Sequence, residues 1–143
     1  MGLSVLLAGC STGRYGYDMA SGQGGSATDM GVRYLLGRGV SQNDEKAFSY
    51  FKEAANDDDP FAQNELAYMY AAGKGTKRDY GKALLYYQKA ANHDLASAQY
   101  NLGLMYLHGL GTAPNRALAL QWIQKSAAHG FEPAQQELAK IKS

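Results

Sequence analysis

The sequence is poor in most of what would announce a chemistry. It holds one cysteine, Cys10, in 143 residues. One cysteine cannot close an intrachain disulfide, so packing alone must hold the fold. Only three prolines occur, and Val/Ile/Thr alternation is nearly absent. Strands are therefore not expected, and the Ala-, Leu- and Tyr-rich composition favours helices. No apolar run reaches the roughly 18 residues of a membrane-spanning helix. Charge of neither sign dominates, and the net charge is +1. That balance gives no field to draw in nucleic acid, and no such partner is expected. Length fits one compact domain.

Catalytic and metal constellations are missing too. His93 and His129 stand one period apart on different units, with His108 between them. They do not form a ligand set, and no Cys/His/carboxylate cluster has metal spacing. Asp57-Asp58-Asp59 lacks the glycine and distal glutamate of a calcium loop. Helix capping ahead of Pro60 explains it better. Ser49, Ser97 and Ser126 sit in helical patterns without a glycine elbow. No catalytic residue, metal or cofactor is expected, and the chain is read as a non-enzyme. Gly73-Lys74-Gly75-Thr76 resembles a phosphate loop at first sight. The lysine precedes the second glycine, and Tyr68 stands where the first glycine of that motif belongs.

The glycine pair is instead a repeat marker. Gly37-Arg38-Gly39, Gly73-Lys74-Gly75 and Gly109-Leu110-Gly111 are spaced 36 residues apart. A fixed period of this size signals a solenoid. Tyr34, Tyr70 and Tyr106 keep the register, as do Ala47, Ala83 and Ala119. Tyr50, Tyr86 and Trp122 form an aromatic column, and Gly31, Ala67 and Gly103 a small one. Each unit reads as two helices. In the second unit these run from about Ala62 to Ala72 and from Tyr80 to Asn92. Gly73 suits a left-handed helix stop. Asn43, Asp79 and Asn115 suit the caps of the second helices. Small residues at 31, 67 and 103 would let paired helices approach closely, with Tyr70 and Tyr87 filling the gap. Lys74, Lys77, Arg78 and Lys82 cluster near one loop, which reads as a solvated face.

The pattern A-x-x-x-L-G-x-x-Y-x-x-G-x-G followed by A-x-x-x-[WYF]-x-x-x-A-A resembles Sel-one-like repeats (SLR), relatives of tetratricopeptide repeats. Ala98, Leu102-Gly103, Tyr106, Gly109, Gly111, Ala119 and 123–127 carry it, as does Ala62 to Ala91. The first unit keeps Met30-Gly31, Tyr34, Gly37 and Gly39. The resemblance implies an all-α fold: a right-handed α-solenoid of helix-turn-helix repeats used as a protein-interaction scaffold. The units are expected at 26–61, 62–97 and 98–133, with a half-repeat cap at 134–143. Cysteine-rich relatives are linked to β-lactam compounds. This chain lacks their cysteines, so an enzyme-like binder of cell-wall compounds is only the alternative.

The first helices of such stacks line a concave face. Asn64 and Tyr68 are four apart there, with period mates Thr28 and Val32 before and Tyr100 and Leu104 after. This aromatic and aliphatic row is expected to bind a protein or peptide. At the other end, Leu7-Ala8-Gly9-Cys10 resembles the bacterial lipobox. Residues 1–9 then read as a lipoprotein signal peptide, and Cys10 as the acylated residue that anchors the chain. No Lys or Arg precedes the apolar run, so a mis-placed start and a cytoplasmic adaptor form a further alternative. Ser11, rather than aspartate, points to the outer membrane, facing the periplasm. Residues 10–25 are glycine- and serine-rich and read as a flexible tether. The identity of the partner and the oligomeric state are left open by the sequence.

Overall fold

The computed structural model describes residues 25–142. The expected signal peptide, Cys10 and nearly all of the expected tether lie outside them. Seven helices follow one another: α1 (Ala27–Leu36), α2 (Asp44–Asn56), α3 (Pro60–Ala72), α4 (Tyr80–Asn92), α5 (Ala96–His108), α6 (Arg116–Ala128) and α7 (Glu132–Lys142). No strand occurs among the described residues. Each helix packs mainly on its sequence neighbours, so the helices stack as a solenoid. The three helix pairs are α1–α2, α3–α4 and α5–α6, and α7 closes the stack.

The loops inside each pair are built alike. Gly37, Gly73 and Gly109 end the first helices in the left-handed region, at φ 68°, 67° and 65°. The next residue's N–H reaches back to Arg33, Met69 or Met105 at 2.9 Å, which satisfies a carbonyl at the helix end. The seven-residue loop then closes on a tyrosine. Asn43, Asp79 and Asn115 each donate their backbone N–H to the carbonyl of Tyr34, Tyr70 or Tyr106. Their side chains accept from Lys46, Lys82 and Leu118 at 3.0 Å and so cap α2, α4 and α6. The second glycine has a different task. A Cβ on Gly75 would collide with the Asp44 carbonyl, and one on Gly111 with that of Tyr80. Each loop thus rests on the start of the preceding unit's second helix. A Cβ on Gly39 would meet nothing within 4 Å among the described residues.

The small column packs as expected. A Cβ on Gly31 would sit 2.8 Å from Phe51, and one on Gly103 2.6 Å from Ile123. Opposite this column Phe51, Tyr87 and Ile123 are fully buried, with Ala47, Ala83 and Ala119 beside them. Helix α3 starts at Pro60, two residues ahead of the expected Ala62, because Asp59 accepts from the Phe61 N–H at 3.0 Å and caps it.

One polar device went unread in the sequence. Gln63, Gln99 and Gln135 stand at the repeat period, one in each first helix from the second unit onward. Each donates its Nε2 across the unit boundary, to the carbonyls of Ala55, Ala91 and Ala127 at 3.4, 3.3 and 3.2 Å. Those carbonyls belong to the last turn of α2, α4 and α6, where each also accepts the turn N–H of Asp58, Asp94 or Gly130. The glutamines therefore join consecutive units. Their signal was the recurrence itself, in a column that begins with Ala27 and then holds glutamine three times.

Candidate interaction surface

The six residues expected on a wet concave face are all buried. Thr28 is 2% exposed, Asn64 and Leu104 0%, Tyr100 5%, and Val32 and Tyr68 7%. They do come together, but as core. Thr28 donates to Asp59, the residue that caps α3. Asn64 accepts from Asn101 Nδ2 at 3.2 Å. The ring of Tyr100 lies 5.6 Å from that of Phe131. Burial, and then the Glu137 charge, push the Tyr100 hydroxyl pKa up to about 12. The expected open binding row is therefore corrected to an interior seam. The reason is that α3 and α5 are flanked on every side. All residues from Phe61 to Ala71 are buried, as are Ser97 to Met105. A helix apolar all round is a buried helix. The sequence carried that signal, since 61–72 holds one charged residue and 96–107 none.

The accessible side chains lie on the second helices. Tyr50, Tyr86 and Trp122 are half-buried, one per unit. In the first two units this ring stacks on the tyrosine of the first helix. Tyr34 and Tyr50 lie 5.7 Å apart and 7° from parallel, and Tyr70 and Tyr86 5.9 Å and 10°. Cations lie over two rings of the first helices and two of the outer column. Lys46 sits over Tyr34 and Lys82 over Tyr70, while Lys89 covers Tyr86 and Lys125 covers Trp122, all at 5.1 to 5.5 Å. Arg78 of the basic cluster lies over Tyr80 at 5.2 Å. None of these cations forms an ion pair among the described residues, where the pairs are Arg33–Asp29 and Lys140–Glu137. Leu85 on α4 is 52% exposed, a large apolar side chain beside this row.

Two open grooves flank the row. One, of about 440 Å³, is lined by Tyr34, Glu45, Lys46, Ser49, Tyr50 and Glu53. The other, of about 520 Å³, includes Leu118, Gln121, Trp122 and Lys125. The last four residues are the period mates, two units on, of Lys46, Ser49, Tyr50 and Glu53. The same groove is thus built twice with different chemistry.

The remaining candidates are structural in their contacts. His129 Nδ1 lies 3.1 Å from Gln99 Oε1. Ser126 donates to the Ala96 carbonyl at 2.6 Å, and Ser49 to that of Glu45 at 3.1 Å. No group of three His, Cys, Asp or Glu residues could hold a metal among the described residues. No helix of the described residues is long and apolar enough to cross a membrane.

Stacked helix pairs at a 36-residue period, with an exposed aromatic and cationic face, define an α-solenoid of helix-turn-helix repeats. The chain belongs to the Sel1 repeat family, whose model matches residues 25–59, 60–95 and 96–131. Sel1 repeat proteins are generally protein-interaction scaffolds, a non-catalytic repeat type. The crystal structure of a Sel1 repeat protein from Oxalobacter formigenes is similar at 39% identity and a TM-score of 0.72. That similarity covers 80% of this chain and 86% of the other. A second similar structure is c5321, a protective antigen in uropathogenic Escherichia coli strains that displays an SLR fold, at 33% identity and a TM-score of 0.72. It matches 73% of this chain, which spans 22% of that longer protein. No curated protein matches the chain.

Proposed function

We propose that this chain is a non-catalytic protein-binding scaffold held at the bacterial envelope, with the outer face of α2, α4 and α6 as its contact surface. The observation that carries the surface is the half-exposed aromatic column, with lysines that form no ion pair among the described residues over two of its rings. Aromatic residues are enriched at interface cores, and a desolvated lysine–ring contact gains strength when a partner excludes water. The first helices cannot serve instead, because their would-be contact row is enclosed. The anchor rests on Leu7-Ala8-Gly9-Cys10 and on the glycine-rich stretch after it. An acylated Cys10 would leave the repeats facing the periplasm from the outer membrane.

Crosslinked capture of partners from membranes tests the surface. Leu85→Lys combined with Lys89→Glu should abolish capture while helicity and melting stay as in the wild type. Equal capture by the double variant would place the surface elsewhere. Metabolic labelling with a palmitate analogue tests the anchor. Wild type should be marked and Cys10→Ser unmarked, and equal labelling of the two refutes the lipid.

A further inference from the structure

We infer that the groove of the first unit is a receptor for a basic side chain, a lysine or arginine presented by a peptide segment of the partner. This deepens the reading of the repeats as a protein-binding scaffold and rests on it. The three units themselves supply the comparison. At the period position three residues after the outer ring stand Glu53, Lys89 and Lys125. In the second and third units that lysine places its ammonium over the ring, 5.3 Å from the centre of Tyr86 and 5.1 Å from that of Trp122. The local backbone and ring therefore accept a cation there twice. In the first unit the lysine is replaced by a carboxylate, and no cation of the described residues lies over Tyr50.

The electrostatics of the groove agree. Glu45 and Glu53 line it, are exposed, and form no ion pair among the described residues. The period mates of Glu45 are Gly81 and Ala117, so this second carboxylate also belongs to the first unit alone. Lys46 is the one cation in the lining, and it is committed to Tyr34 at 5.2 Å, as Lys82 is to Tyr70. Two carboxylates thus face one ammonium beside an uncovered electron-rich ring. The stack of Tyr34 on Tyr50 holds that ring in place before any ligand arrives. A guanidinium or ammonium entering the groove would gain the ring contact and a carboxylate partner together. At about 440 Å³ the groove has room for such a side chain and part of its backbone. Its counterpart on the third unit already carries Lys125 and has Leu118 and Gln121 in its lining, so it lacks this charge complementarity.

The test is a nuclear magnetic resonance titration of the full ¹⁵N-labelled chain with two blocked tripeptides, acetyl-Ala-Arg-Ala-amide and acetyl-Ala-Gln-Ala-amide. The arginine peptide should shift the amides of Ser49, Tyr50 and Glu53 and leave those of Gln121 to Lys125 in place. The glutamine peptide should shift none of them. Glu53→Lys installs the residue of the sister units, which the fold accommodates, and should abolish the response. Glu53→Gln should weaken it about three-fold, the scale of one exposed ion pair. Lys89→Glu should create a second response at Tyr86. Equal shifts from both peptides, a response that survives Glu53→Lys, or shifts centred on Asp57 to Asp59 would each overturn the inference. Loss of the groove response with partner capture intact would overturn this inference alone. Absence of capture by the wild type would overturn the scaffold reading itself.

Discussion

Gly103→Ala is the most exacting perturbation of the packing. In isolation the change favours helix α5, because alanine has the higher helix propensity by about 0.8–1.0 kcal/mol. The surroundings oppose it. The new Cβ would lie 2.6 Å from Ile123 Cγ1 and 3.0 Å from the Ala119 carbonyl oxygen. Neither neighbour is the loose end of a flexible chain. Ile123 is β-branched and fully buried, and the carbonyl belongs to the α6 backbone. Overpacking of this kind costs about 1–3 kcal/mol, so repulsion should exceed the propensity gain. A net loss of about 1 kcal/mol is expected, or a few degrees in melting temperature for a domain of this size. Urea denaturation of the wild type, Gly103→Ala, Ile123→Ala and the double variant measures it. The cycle should return a favourable coupling of about 1 kcal/mol, because truncating Ile123 removes the nearest clash. A neutral or stabilised Gly103→Ala would refute the close approach of α5 and α6 as the reason for the small column.

Other expectations follow from single contacts. Gln99→Ala should cost about 0.5–1.5 kcal/mol in urea denaturation, since it removes a hydrogen bond to the Ala91 carbonyl, which keeps the Asp94 N–H, and the contact with His129. Asp58 sits at φ 61°, where the third unit has Gly130 at φ 84°, so Asp58→Gly should be neutral to stabilising by about 0.5 kcal/mol in thermal melts. Tyr68→Ala with Tyr100→Ala should unfold or strongly destabilise the chain by circular dichroism, because both rings are core. The Tyr100 hydroxyl has its pKa raised above the ordinary 10.0 to about 12. The folded state therefore holds that proton more tightly than the unfolded one. Its contribution is complete below about pH 10 and is lost as pH rises toward 12, so Tyr100→Phe should flatten the alkaline fall in stability.

Much of the fold was legible because each structural demand recurs three times. A glycine that ends one helix is an ambiguous sign, but Gly37, Gly73 and Gly109 in register with Tyr34, Tyr70 and Tyr106 leave little else to build. The caps at Asn43, Asp79 and Asn115 were readable for the same reason, since short polar side chains before a helical pattern have one common use. The binding row failed because helical periodicity places residues on a face without saying what covers it. Asn64 and Tyr68 do share a face, yet α3 is enclosed by its neighbours and that face is interior. The second glycine of each loop meets a local demand, a left-handed φ of 72°, 71° or 74°, and Gly75 and Gly111 meet a second one. That second demand is a carbonyl of another unit, a contact between residues about 30 positions apart that spacing does not reveal.

The distribution of differences among the units argues for where recognition resides. Where paired helices approach closely, the buried columns vary only within one size class, whereas the seam column Thr28, Asn64 and Tyr100 is buried and varies in size. Ala47, Ala83 and Ala119 are identical, and Gly31, Ala67 and Gly103 differ by one methyl group. The outer columns have no such constraint. Glu53 becomes lysine twice, Glu45 becomes glycine and alanine, and Lys46 becomes Lys82 and then Leu118. These changes alter charge and shape while leaving the helix, its cap and its aromatic ring in place. An array of identical faces would present one chemistry three times. This one presents an acidic aromatic groove at one end, a lysine-capped tyrosine in the middle and a groove with a lysine-capped tryptophan and Leu118 at the other. A partner segment lying across it would meet these in a fixed order, so the order of units, and not any one of them, would set the direction in which that segment binds.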